Sequence, residues 1–496
     1  MKISLDFAPD QTEVHRRRLH YSFSLFCAIY GHHPVNVSAN HEVADIWLTY
    51  RHDHAKTRQR KKLHLGNLYQ PRPVDEPAPA PISFEVSDEK TVLFYPPAPG
   101  MQPDWLGEIF EWVSCADEYS IRHATSAGAL SFSQSFAGRH GLDIRTPYAA
   151  IAMRLLQKAL CKLVPGSFDE PLSPVQGVRH FIVNTHDVDF LPLSSFGSVG
   201  RILKNSAAAF AVHRRPKLAV KLAASALKTA VGMPNPLDQM SKLVKEEKHR
   251  GINASYMFIG GRGHRRDGNY RVDDPTVSEL MRSLEREGMD IGVHGSYRSL
   301  DHPQTLSQEF DLLRNQGFRP QGNRQHWLRF TLDRLVPALE AAGTSYDTSL
   351  GWADKIGFRA GACFAFPPYN FTDERPANFL EIPLVVMDVS LEFGEVPLSE
   401  SNYYEKVSEV LSASRRYGWG GVAVLWHNTG FGGGQIPKAV GDVFWRLVDE
   451  RKSSNDTWVS AADFVRSVRG RYSEVGLVTS DKFLDPSHVG GLLDEV

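Results

Sequence analysis

Four clusters of aspartate and histidine fall at the ends of strand-like segments in the second part of this chain, with stretches of helical period between them. The first apolar run, HFIVNT at 180–185, leads into His186-Asp187-Val188-Asp189. ASYMFI at 254–259 follows, then a helical pattern over 275–287, then MDIGV at 289–293 ending at His294. A helix over 304–316 precedes a short segment bearing Arg324 and His326, and another helix spans 331–342. Strands over 380–386 and 421–426 complete the series, the latter ending at His427. Parallel neighbours need a crossover, so this alternation predicts parallel strands covered by helices. Polar residues at the C-terminal strand ends are where a (β/α) barrel builds its chemistry. The expectation is an α/β chain with a (β/α) barrel.

Before the barrel, a strand is expected at 44–50, an extended loop over the Pro-rich 71–81 and a strand at 91–95. A helix over 103–119 is capped by Asp104, and the clearest amphipathic helix covers 148–163. The composition of 165–177 reads as a linker, which divides the chain into an N-terminal α/β domain (1–175), the barrel (176–475) and a tail (476–496). Residues 191–250 interrupt the barrel pattern with alanine-rich helical sequence. They hold 11 Lys and Arg against 3 Asp and Glu, a local charge of +8. That insertion is either a solvated helical excursion or a surface that meets phosphates or anionic lipid headgroups.

The whole chain balances 56 basic against 57 acidic residues, which excludes a generally basic nucleic-acid binder. No apolar stretch approaches the ~20 residues of a spanning helix, so no integral membrane segment is expected. Asp6 interrupts the start where a signal peptide needs an apolar run. Four cysteines far apart, with no CxxC pair, argue against a thiolate zinc site or a disulfide framework. A cytoplasmic protein is expected.

Close carboxylates repel, so Asp187 and Asp189 need a proton, hydrogen bonds or a cation. They point to one side of an extended chain, reach a site through a bend, or simply form an Asx-type turn. His294 has Gly295 beside it, and glycine adds no bulk where a histidine approaches a metal. Each cluster is weak alone; together they resemble the polysaccharide deacetylase superfamily, the NodB-homology domain of carbohydrate esterase family four. The resemblance covers roughly 180–470. Thr185-His186-Asp187-Val188-Asp189 is similar to that family's first motif, which implies Asp187 as general base and Asp189 as metal ligand. His294 matches the first ligand of the H-[ST]-x-x-H motif, with Arg298 where its second histidine would stand. Arg324 matches the arginine that orients the base, and Leu425-Trp426-His427 the motif that supplies the general acid.

A hydrolytic zinc takes about three protein ligands and keeps one position open. Asp189, His294 and His326 make such a set from three strand ends, with His302 as the competitor for the third place. Arg298 then fills the vacated ligand space and binds a substrate anion, or lies in solvent. Arg359 holds substrate or braces a carboxylate, Asp347 lines the pocket, Asp388 is a groove residue, and Glu381 is strand structure. No GxSxG supports a serine esterase. The resulting expectation is a metal-dependent hydrolase, with one divalent ion, zinc, that removes an N-acyl group, acetyl first of all, from a sugar of a surface polysaccharide or its precursor. Two other readings stand beside it: a non-catalytic carbohydrate-binding protein on a degenerate barrel, and a glycosidase using Asp187 with Asp347 or Asp388.

Overall fold

Apolar β-branched and aromatic residues at 180–188 form a nine-residue strand buried along its whole length, and the second part of the chain is built around it. In this computed structural model, residues 1–479 are described apart from 36–43, 51–60, 74–75, 87–88, 98–100, 120, 122–127, 165–169, 192–195, 212–215, 232–238, 393–399, 432–435 and 437. Nearly all of the expected tail, and the first five residues of the linker, lie outside the described residues.

The N-terminal region is an α/β sheet. Strands β1 (Lys2–Asp6), β2 (His33–Val35), β3 (Ile46–Thr49) and β4 (Lys62–His64) pair in parallel in the order β2-β1-β3-β4. Helix α1 (Glu13–Tyr30) crosses between the first two, capped by Thr12 and stopped by Gly31 at φ 66°. The expected strand at 91–95 is instead Glu89–Leu93, the second arm of an antiparallel hairpin with Ile82–Val86. The expected helix over 103–119 ends sooner: α2 is Trp105–Ser114, because Cys115 turns left-handed at φ 49°. Its cap Asp104 also accepts from the backbone N–H groups of Leu68 and Tyr69 and from the Tyr50 hydroxyl. Helix α3 (Tyr148–Leu163) falls where its periodicity placed it.

The second sheet is wholly parallel. Its strands are β5 (His180–Val188), β6 (Ser255–Ile259), β7 (Asp290–Gly295), β8 (Gly322–Gln325), β9 (Tyr346–Asp347), β10 (Leu380–Glu381), β11 (Leu384–Met387), β12 (Gly420–Leu425) and β13 (Asp456–Val459). Eight run in the order β10-β9-β8-β7-β6-β5-β12-β11, and β13 pairs with the first half of β5. The expected single strand at 380–386 is therefore two strands at opposite ends of the path. Pro383 cannot donate to a ladder, and with Ile382 it forms the link by which the sheet curls round into a half-barrel. Helices α6 (Met240–His249), α7 (Pro275–Arg286), α8 (Gln304–Asn315) and α9 (Leu332–Ala342) alternate with the strands. The insertion supplies α4 (Phe196–Ala211) and α5 (Pro216–Ala230), which pack on each other through Ile202, Ala219, Leu222 and Ala226, apart from the main core.

One continuous apolar core runs through both parts of the chain. Polar contacts reinforce the seam: Arg18 pairs with Glu374 at 2.6 Å, and the Trp419 indole donates to the Ile29 carbonyl. His32 sits near this seam, its Nε2 2.7 Å from Gln157 Oε1. Burial pushes its imidazole from 6.5 down to about 4, outweighing the bond to Gln157. Between those values the unfolded chain holds a proton that the folded chain lacks, so stability falls as pH drops. The expected slope is up to about 1.4 kcal/mol per pH unit for this one group. Urea unfolding of His32→Gln across that window should show a shallower slope than the parent; equal slopes would exclude His32 as a source.

Candidate metal centre

Asp187 is the penultimate residue of β5 and Asp189 lies just past its end. Extended backbone sends residues two apart to the same side, so Thr185, Asp187 and Asp189 share a face. Both carboxylates reach one atom: Asp187 Oδ2 lies 3.5 Å and Asp189 Oδ1 3.3 Å from His294 Nε2. The pair thus meets by strand periodicity, and no Asx turn ends the strand at Asp187.

Strand β7 delivers His294, and β8 pairs beside it with Arg324 opposite His294. His326 follows β8 in a short 3-10 turn. A backbone carbonyl only accepts, so each histidine bound to one must carry its proton on that nitrogen. His294 Nδ1 donates to the Arg324 carbonyl at 2.8 Å, and His326 Nε2 donates to the Arg266 carbonyl at 2.8 Å. The remaining nitrogens, His294 Nε2 and His326 Nδ1, face each other at 2.9 Å. As neutral rings they oppose two lone pairs, an arrangement that only a proton or a metal ion between them relieves.

Asp189 Oδ1 lies 3.4 Å from His326 Nδ1 and completes the triangle. Edges of 2.9, 3.3 and 3.4 Å match one face of a tetrahedron with ligand bonds of about 2.0–2.1 Å, whose edge is about 3.3 Å. Oδ1 of Asp187 and Oδ1 of Asp189 are buried and accept no hydrogen bond. Despite burial, the imidazoles of His326, His294 and His427 hold the Asp189 carboxyl far below the usual carboxylate range. Burial opposes a charge on His294, but Asp187 and Asp189 raise its pKa; burial and the neighbouring His294 lower that of His326. The three ligand atoms can hold a metal ion, and among the described residues this is the group that can. Each histidine already has the outer carbonyl that orients metal-bound imidazoles.

His427 closes the site from β12. Its Nε2 is 3.6 Å from Asp189 Oδ2, and its Nδ1 donates to Asp388 Oδ1 at 2.7 Å. Asp388 is wholly buried and also accepts the His427 backbone N–H. Burial disfavours the imidazolium, yet Asp388 and, behind it, Asp189 and Asp187 push the pKa up to about 10. Asp388, expected as a groove residue, instead fixes the tautomer and charge of His427. The register of Met387 opposite Leu425 puts the two residues at neighbouring strand ends.

Arg324 departs from expectation. Its Nε donates to Thr348 Oγ1 at 2.9 Å and its Nη2 to Thr185 Oγ1 at 2.8 Å; no ion pair joins it to Asp187. Thr185 shares the face of Asp187 two residues deeper in the barrel, and its hydroxyl meets the guanidinium first. Gly295 is also explained otherwise, since a Cβ there would lie 2.5 Å from the Gln325 amide. His302 and Arg298 are exposed, outside the ligand triangle. Arg359 braces Glu118 at 2.7 Å. Asp347 is tied to Asn323 and Ser349. Neither Asp347 nor Asp388 lines the cavity above the triangle, so the glycosidase pairs do not form.

That cavity measures about 760 Å³ and receives Asp187, Asp189, His294, His326 and His427 at its floor. Phe190, Ile202, Leu222, Val389 and Ile436 make much of its wall apolar, while Lys204, Arg265 and Arg266 add cations. Trp327 stands half exposed on its rim, and Trp327 and Leu328 are both left-handed at φ 65° and 47°. Side-chain-bearing residues pay for that conformation, about 1–3 kcal/mol each, and such strain gathers at working sites.

By sequence, no known family and no curated protein matches this chain. By structure, a probable polysaccharide deacetylase from Pseudomonas aeruginosa PAO1 is similar at 13% identity, over 59% of this chain and 91% of that one, with a TM-score of 0.39. The Xyl-CE4 domain of a multidomain xylanase from the hindgut metagenome of Trinervitermes trinervoides is similar at 11% identity, over 59% and 92%, with a TM-score of 0.30.

Elemental analysis of purified variants tests the triangle. His326→Ala should lose the bound divalent ion and His302→Ala should keep it. Full metal in both would remove His326 from the ligand set.

Proposed function

We propose that this protein is a metal-dependent hydrolase that removes an N-acyl group, acetyl above all, from a sugar of a surface polysaccharide or its precursor. The observation that carries the reading is the pair of imidazole nitrogens opposed at 2.9 Å beside an unpartnered carboxylate oxygen. Neutral nitrogens and one carboxylate suit zinc, and zinc is the ion in this reading. A divalent ion bound there supplies a Lewis acid that polarises an amide carbonyl and acidifies water towards a pKa of about 7.

The chain's own residues supply the proton transfers. Asp187 Oδ1, buried and without a partner, accepts the proton of the attacking water. His427 stays an imidazolium through neutral pH because Asp388 faces its Nδ1, leaving Nε2–H to protonate the departing amine. The amide C–N bond breaks as the water oxygen bonds to carbon, giving a carboxylate and a free amine. Arg324 acts at a distance, by holding Thr185 and so the strand that presents Asp187. Trp327 offers the rim a flat apolar face on which a sugar ring can stack. Four cysteines outside any disulfide, three of them buried, suit a reducing compartment, and the cytoplasm is the setting in this reading.

The reading is tested with N-acetylated sugars supplied free, nucleotide-linked and lipid-linked, by measuring amine release with zinc or cobalt added. Asp187→Asn should retain its metal, since Asp189 is the ligand, and lose about 10²–10⁴-fold in turnover; His427→Ala should do the same. Unchanged activity in Asp187→Asn would end this mechanism. Absence of both bound metal and activity in the parent would favour the non-catalytic reading.

A further inference from the structure

Among the described residues nine large apolar side chains are exposed, and five of them gather on the helical insertion. Leu203 and Phe210 lie on α4, Val220 and Leu227 on α5, and Val231 just beyond it, each between 49 and 70% exposed. Seven residues separate the members of each helical pair, so each pair lies on one helix face. A different face of each helix is already satisfied by the packing of Ile202 against Ala219, Leu222 and Ala226. Both helices are thus apolar on two sides, where a surface helix of a globular domain has one.

Charge says what the second side meets. From Phe190 to Leu237 the chain contains no aspartate or glutamate and seven lysines and arginines, while the whole protein is net −1. The remainder is therefore acidic, and the cations are concentrated here. An apolar stripe on a segment whose sequence is rich in lysine and arginine suits an anionic headgroup layer: the apolar side chains enter the acyl boundary and the cations stay among phosphates. A second copy suits it poorly, because an isologous contact would set the same cations against each other. The helices are also continuous with the centre described above, since Ile202, Lys204 and Leu222 line its cavity.

We infer that α4 and α5 are a docking element for the surface of an anionic lipid bilayer, and that they seat the cavity mouth at the headgroup layer. Resting on the deacylase reading, the substrate is then an acylated sugar presented at that surface on a lipid carrier.

The test is sedimentation of the full-length protein with phosphatidylcholine vesicles, and with vesicles in which about a third of the lipid is phosphatidylglycerol. The parent should bind the anionic vesicles at least about tenfold better than the neutral ones, and added salt should weaken it. Leu203→Glu with Phe210→Glu, and separately Val220→Glu with Leu227→Glu, should each lose about tenfold or more in binding while keeping the melting temperature of the parent. Should either pair unfold, Leu203→Ser with Leu227→Ser decides in its place. Failure of the parent to bind anionic vesicles overturns the inference, as does binding that survives both glutamate pairs. A parent dimer that these variants split, with no vesicle binding, assigns the face to a second copy and overturns it too. Sedimentation reads neither metal nor turnover, so its failure leaves the deacylase reading standing, and an inactive enzyme leaves the vesicle result standing.

Discussion

Two imidazole nitrogens opposed across 2.9 Å are the constraint on which the site depends. Each ring is locked by a carbonyl on its far side, one from the neighbouring strand and one from the loop after β6. Neither ring can turn away without stranding a buried donor, which costs about 1–3 kcal/mol. The backbone thus prepays the ordering of the ligands, and their lone pairs converge on one point beside Asp189.

Parallel pairing is what makes that convergence cheap. Adjacent strands β7 and β8 put Arg324 opposite His294, so a main-chain carbonyl arrives within reach of the His294 ring by register alone. Crowding between the strands demands small residues. A Cβ on Gly322 would fall 1.9 Å from the Tyr346 ring, so the strand bearing Arg324 can lie against β9 only with glycine at its start. His427 and Asp388 repeat the device at the other side of β5, where register again supplies the partner.

Much of this was legible in the residues because side-chain direction along a strand has a period of two. Asp187 and Asp189 had to share a face once 180–188 was extended, and the need for a third ligand pointed to His326. Depth was not legible. Thr185 and Asp187 face the same way, and only the three-dimensional spacing decides that Arg324 meets the hydroxyl and not the carboxylate. Nor could a pattern reveal that Arg266 contributes its carbonyl, since main-chain atoms are the same in every residue. The split of 380–386 was signalled by Pro383, but which ends of the sheet its halves would join depends on how the whole sheet curls.

The third ligand has a consequence of its own. With His326 just past β8, the candidate ligands belong to three different strand ends: β5, β7 and β8. An ion gripped there is a cross-link between distant parts of the chain, closing long loops whose closure would otherwise cost entropy. It would serve a protein whose cysteines form no disulfide as a disulfide serves a secreted one, with a difference. A covalent staple is set once, whereas a bound ion would strengthen its hold with the logarithm of the free metal concentration. With an ion bound at these residues, the folded state of the barrel would in that sense be buffered by the metal supply around it.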